Sequence, residues 1–254
     1  MKIFYKIIPV FFVLLIVTVL ISGKKREDEK KGIITYTEGQ VKSKNPEMEN
    51  WRDAFVNTEI FSGDKVRTYN RSRAEIDLVQ LDVIRLAPQT IIDIVKLYEE
   101  TKDRKIKTKI DVKQGEIWAS IHEIEMDTEF DVSAPIAAAA ITGTTLRFRV
   151  EADSTTILKV YKGEVLITNA PEKKDLKPRS LIPHEIPGPT EIPGPREVTK
   201  EEWLYIVQSM QQVKIDKNGK IISKGKFKAD DVDEKTDWVK WNRMRDLQRN
   251  KKLR

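Results

Sequence analysis

The chain has no cysteine. That excludes a disulfide framework, a thiolate nucleophile and a zinc site built on thiolates, and it leaves no thiol to accept a lipid behind the N-terminal leader. Histidine is nearly as scarce. His122 and His184 are the only two, far apart and without a His-x-x-x-His spacing, so no transition-metal centre is expected. No EF-hand loop is present. Gly143-Thr144-Thr145 lacks the lysine of a phosphate-binding loop, and no Gly-x-Ser-x-Gly elbow occurs. No residue receives a catalytic assignment and no cofactor is expected. The enzyme-class alternative is a carboxylate-dependent hydrolase, which needs two buried acids about 5 to 9 Å apart in a cleft.

Charge is abundant but uneven. The net charge is +6, and residues 170–254 hold 20 of the 46 basic and 14 of the 40 acidic residues, so residues 1–169 balance. The last sixteen residues carry seven basic groups and one acid. Such a tail reads either as a solvated helix end or as an anchor for acidic polymer or anionic lipid. With Trp238 and Trp241 it also gives a faint aromatic-plus-basic signal, but nucleic acid is not expected as a partner of an exported chain.

At the N-terminus, Lys2 and Lys6 precede an apolar run over 7–21, closed by Ser22-Gly23 and Lys24-Lys25-Arg26. Fifteen residues are few for a spanning helix, which needs about 20. A signal peptide cut near Gly23 and an uncleaved membrane anchor are both open, although the basic residues after the run argue for a cytoplasmic C-terminal side. A charged spacer occupies 24–32.

Residues 33–169 read as strands almost throughout. Ile106, Thr108, Ile110 and Val112 alternate with Lys107, Lys109, Asp111 and Lys113. Thr144, Leu146, Phe148 and Val150 alternate with Thr145, Arg147, Arg149 and Glu151, and Ala74, Ile76 and Leu78 with Glu75 and Asp77. A period of two with one charged face is that of a half-buried strand. Three hexapeptides share one form, a bulky residue, two variable positions, Gly, Glu or Gln, and a branched residue: they end in Gly39-Gln40-Val41, Gly115-Glu116-Ile117 and Gly163-Glu164-Val165. Glycine there supplies a positive φ for a hairpin or bulge, which predicts a meander of short antiparallel strands. The small residues of 134–140 suggest close backbone approach or a short helical turn. Trp51 and Trp118 are expected in the core. Asp64 is expected to accept backbone hydrogen bonds in a turn. Arg67 and Arg73 are expected to pair with Glu75 or Asp77 across strands.

These motifs recur in a recognisable order. Gly39-Gln40-Val41 and Trp51 are followed by Ser62-Gly63-Asp64-Lys65-Val66-Arg67-Thr68 and Ser72-Arg73-Ala74-Glu75-Ile76. Next come Ile84-Arg85-Leu86, Gln114-Gly115-Glu116-Ile117-Trp118, Phe130-Asp131-Val132-Ser133-Ala134-Pro135, Thr142-Gly143-Thr144 and Gly163-Glu164-Val165. In order and spacing the series resembles the FecR domain, the periplasmic module of bacterial iron-transport signalling proteins. The resemblance implies a mainly β fold, an antiparallel β-sandwich or jelly-roll-like domain, and a place in the cell envelope. It implies a non-catalytic interaction or sensor module whose partner is an envelope protein or a cell-wall polymer. The family often has a basic residue before Gly-Thr, where this chain has Thr142. Signalling members also carry a cytoplasmic sigma-factor-binding segment. Six residues precede the apolar run here, so that activity is not carried over. The candidate interaction surface lies around 62–74 and 134–144 and comprises Asp64, Arg67, Arg73, Pro135, Thr142 and Thr144.

Beyond the domain, six prolines fall within 178–195 and mark 170–198 as an extended linker. Residues 199–254 read as a mainly helical, basic extension. Thr199 with Glu202 forms a capping box for a helix bearing Trp203, Ile206, Val207 and Met210 on one face. Asn218-Gly219 marks a hairpin turn. A last helix over 231–249 presents Trp238, Trp241 and Met244, a stripe expected to dock on the β-domain. The alternative function is a structural envelope protein whose basic tail binds peptidoglycan, polysaccharide or anionic lipid.

Overall fold

The computed structural model describes residues 30–78, 82–100, 106–122, 128–169 and 203–252. The leader and the proline-rich linker fall outside the described residues. Among those described, no helix is long and apolar enough to cross a membrane.

The chain is mainly β. The N-terminal half supplies β1 (Gly32–Glu38), β2 (Val41–Lys44), β3 (Arg52–Asp53), β4 (Glu59–Ile60), β5 (Lys65–Thr68), β6 (Arg73–Asp77), β7 (Val83–Leu86) and β8 (Ile91–Glu100). Three long strands dominate the centre: β9 (Ile106–Ser120), β11 (Ala137–Val150) and β12 (Thr156–Thr168), with the shorter β10 (Thr128–Ala134). Then follow β13 (Leu204–Gln208), β14 (Gln211–Ile215), β15 (Ile221–Lys226), a 3₁₀ turn (Val232–Lys235) and the helix α1 (Asp237–Lys252).

Hydrogen bonds join the strands into one mixed sheet with a main path β15-β14-β12-β11-β10-β9-β7-β6-β1-β4. β9 is its hub. Its first half pairs with β8 and, in parallel, with β10; its second half pairs with β7 and β11. The parallel pair departs from the wholly antiparallel expectation. The strand periodicities hold: Thr108, Ile110 and Val112 are buried, as are Thr144, Leu146, Phe148 and Val150. One large apolar cluster collects side chains from Ile34 to Ile215.

The three glycine motifs form one repeated device. Gly39, Gly115 and Gly163 take φ of 68°, 93° and 84°. Each abuts a tripeptide ending in a hydroxyl: Asn70-Arg71-Ser72, Pro88-Gln89-Thr90 and Thr142-Gly143-Thr144, whose middle residues take φ of 52°, 57° and 56°. In each tripeptide the hydroxyl donates to the carbonyl two residues back, at 3.0, 3.5 and 2.8 Å. Each also reaches the residue after the glycine. The Gln40 and Glu116 amides donate to Ser72 and Thr90 at 2.9 and 3.0 Å, and Thr144 donates to the Glu164 carbonyl at 3.0 Å. A Cβ on these glycines would lie 2.5, 2.4 and 2.8 Å from the hydroxyl oxygens, closer than real Cβ contacts. The motif pattern predicts turns of a meander of short strands. Gly115 and Gly163 instead bend long strands from within, which lets each strand exchange partners.

Two further expectations are corrected, and for 134–140 the helical-turn alternative falls. The helix expected from 199 is a strand in its described part, because Leu204–Gln208 pairs with the edge of β12. There Val207 is buried while Leu204 and Ile206 are exposed, a period of two. The last helix starts at Asp237, six residues later than expected, with the 3₁₀ turn before it. The Val239 amide donates to the Thr236 hydroxyl at 3.4 Å, which places Thr236 at the cap. Residues 137–140 are strand, facing β10 across the Pro135-Ile136 turn. The Asn218-Gly219 turn joins β14 and β15 as expected.

Candidate functional site

Strand register builds a transverse row of large polar side chains. Tyr36 lies opposite Glu75, Glu75 opposite Arg85, Arg85 opposite Trp118, Trp118 opposite Arg147, and Arg147 opposite Lys159. Alternation sends these side chains to the face away from the apolar cluster, where water would meet them. Tyr36 is half-buried and the other five are buried nonetheless, because the 3₁₀ turn and α1 lie over them.

The contacts are mostly ionic. The Arg85 Nε donates to Glu75 at 2.6 Å and its Nη1 to Asp246 of α1 at 2.6 Å. Arg245 donates to both Glu75 carboxylate oxygens, and the Trp118 indole donates to Asp246 at 3.0 Å. Arg249 Nη1 meets both oxygens of Asp77 at 2.8 Å. At the other end Arg147 bonds Glu116 at 2.8 Å and Glu234 of the 3₁₀ turn at 3.2 Å. Lys159 reaches Glu234 at 3.0 Å and Asp233 at 2.6 Å. Tyr161 stacks on Trp118 with ring centroids 4.5 Å apart. Burial works to raise the Glu75 carboxyl, but hydrogen bonds and charge from Arg245 and Arg85 prevail and hold it at about 2. Burial disfavours the Arg147 cation, yet Glu116 and Tyr161 together push its pKa up. Both groups keep their charge at any physiological pH. The row is electrostatic structure that ties the 3₁₀ turn and α1 to the sheet.

A second arrangement lies where two of the glycine corners meet. Gln40, Arg67, Tyr69, Asn70, Gln89 and Gln114 line a cleft of about 380 Å³ floored by Thr68 and Ile91. Its backbone is satisfied: the Tyr69 amide donates to the Gln40 carbonyl at 3.2 Å, and the Gln89 amide to the Tyr69 carbonyl at 3.1 Å. The side chains are different. The four carboxamides make no hydrogen bond to another described residue. The Arg67 guanidinium lies 4.6 Å from the Tyr69 ring centroid and pairs with no described carboxylate.

The six residues singled out in the sequence scatter among elements. Asp64 is buried and accepts the Phe61 amide at 2.8 Å, the turn role expected of it. Arg67 lines the cleft. Arg73 sits 3.9 Å from Glu38 and 5.6 Å from the Trp241 ring. Pro135 is exposed in the turn between β10 and β11. Thr142 is exposed, and the buried Thr144 is spent on the third glycine corner. Neither Arg67 nor Arg73 takes the expected partner, since Glu75 is held by Arg85 and Arg245, and Asp77 by Arg249. Trp118 is buried as expected, but Trp51 is half-exposed and outside the apolar clusters. The row as a whole escaped the sequence reading, though Arg85 inside the apolar run Val83-Ile84-Arg85-Leu86 was its signal. Among the described residues no three metal-ligating side chains converge.

Comparison with known proteins supports the motif-based resemblance. The FecR family model, described as FecR protein, matches residues 64–166, which include Arg67, Gln89 and Gln114 of the cleft and Glu75 to Lys159 of the row. Two crystal structures of a protein from Parabacteroides distasonis, provisionally described as an anti-sigma factor, resemble the chain at 13% identity and TM-score 0.46. The match covers 66% of this chain and 62% of the Parabacteroides protein. No curated protein matches the sequence.

Proposed function

We propose that this chain, whose residues 64–166 match the FecR family, is a non-catalytic interaction and sensor module of the bacterial cell envelope. The observation that carries the reading is the cleft, a concave site on the sheet whose carboxamides have no hydrogen-bond partner among the described residues. Binding sites of this kind are preformed and need few, well-placed polar groups. The proposal takes the leader as the export signal or inner-membrane anchor, and the linker as a spacer. It takes the sheet as curling in sandwich-like layers around its single large core cluster. The partner is an envelope protein or a cell-wall polymer.

The basic-tail alternative is weaker on one specific ground. Arg243, Arg245 and Arg249 are engaged with Glu234, Glu75 and Asp77, so half-buried cations of α1 are committed within the chain.

The absence of cysteine makes a direct test simple. Lys162 is exposed, so a Lys162→Cys chain treated with membrane-impermeant maleimide in spheroplasts should label without lysis. Labelling only after lysis would overturn the envelope assignment. A photo-crosslinking side chain at the exposed Gln114 should then capture envelope material, and the interaction reading fails if every crosslink is intramolecular.

A further inference from the structure

The cleft's chemistry narrows its ligand, on the reading that this cleft is the interaction site. Carboxamides present a donor and an acceptor at fixed separation, the arrangement that suits vicinal hydroxyls, and Gln40, Asn70, Gln89 and Gln114 offer four of them around one hollow. Gln89 is held at φ 57°, a conformation that L side chains adopt at a cost, and there it projects from the cleft wall. Arg67 is half-buried with its guanidinium 4.6 Å from the Tyr69 ring centroid, a contact that restrains it while leaving its N–H groups unspent among the described residues. A planar guanidinium without an acid partner among the described residues suits a ligand carboxylate.

Gln89 and Gln114 also form one wall of a second hollow of about 330 Å³, which runs on past Gly115 to Ala152. The carboxylates of that hollow are occupied: Glu116 bonds Arg147 at 2.8 Å and Glu151 meets Arg149 at 3.2 Å. The two hollows share Gln89 and Gln114, and neither is lined by an unpaired carboxylate that would repel an acid.

We infer that the paired hollows on either side of Gln89 and Gln114 bind an acidic oligosaccharide, with Arg67 taking a sugar carboxylate and the carboxamides taking ring hydroxyls. The test is titration calorimetry of the full chain with tetragalacturonate, with maltotetraose as the uncharged control. Tetragalacturonate binds saturably and maltotetraose at least about tenfold more weakly, since a hydrogen bond to a charged group is lost. Arg67→Ala and Gln89→Gly each weaken tetragalacturonate binding about tenfold. Glycine relieves the left-handed backbone at 89, so Gln89→Gly melts no lower than the parent and its effect cannot be laid to misfolding. The inference is overturned by the absence of saturable binding, by equal binding of the two saccharides, or by unchanged binding in both variants. Gln114 crosslinks to an envelope protein without saccharide binding would leave the interaction module standing and remove only this ligand.

Discussion

Alanine at position 115 would set a Cβ 2.4 Å from the Thr90 hydroxyl oxygen and 2.5 Å from its Cα, at φ 93°. The clash is with backbone, so no side-chain rotation relieves it. Left-handed strain and overpacking add, and Gly115→Ala should lose more than about 2 kcal/mol in urea unfolding. A loss under about 0.5 kcal/mol would show that the corner is loose. Glu75 gives a second prediction at this scale. Its side chain is 5% exposed and faces two arginines, one of them fully buried. Glu75→Gln leaves those cations short of charge and should cost about 3 kcal/mol or more. The pH dependence follows from the same carboxyl. Its folded pKa is about 2 against an ordinary value of 4.5, so its contribution is complete above that ordinary value and is lost as pH falls through about 2. Stability measured from pH 5 down to pH 2 should fall in the parent and fall less in Glu75→Gln.

At the scale of elements, α1 is held less by an apolar stripe than by charge. Trp238 and Val239 are buried in the small cluster with Trp118, but Met244 and Leu247 are exposed. The docking contacts should therefore grade with depth. A double-mutant cycle between Arg249 and Asp77, whose side chains are 21% and 32% exposed, should give a coupling below about 1 kcal/mol that salt erodes. The cycle between Arg245 and Glu75 should give a larger coupling that survives salt; equal couplings would mean that burial is not what grades them. The sequence made α1 legible through its Trp238 and Trp241 spacing, and β9 and β11 through clean alternation. It misled at 203–210, where Trp203, Ile206, Val207 and Met210 fit a helical stripe. The free edge of β12 decided otherwise, since pairing satisfies a whole row of backbone groups that a surface helix would leave to solvent. The cleft was legible only as Arg67, because its carboxamides come from three turns and the middle of β9, which no local pattern connects.

For the whole molecule, the two faces of the sheet do different work. One closes on the apolar cluster and the other on the charged row, so β6, β7, β9 and β11 are buried on both sides where the C-terminal segment lies. This accounts for Glu75 and Arg147, which the alternating pattern assigns to water. The motif resemblance identified the FecR-like span but stopped short of this cover, since the matched residues end at 166 and α1 begins at Asp237. A chain ending after Lys228 should keep its β-type circular dichroism. It should bind a hydrophobic dye through the uncovered Trp118 and Tyr161, which the intact chain does not. Loss of all β signal would instead make the cover essential to the sheet.

Arg245 closes on Glu75 across 170 residues of chain. During synthesis the sheet side of that contact emerges long before its mate, and so do Arg85, Arg147 and Lys159. Until the C-terminal segment arrives, Arg85 and Arg147 have Glu75 and Glu116 as partners within the sheet, while Lys159 and the Trp118 indole await Glu234 and Asp246. The cover thus completes pairs whose other halves the sheet has carried since early in synthesis.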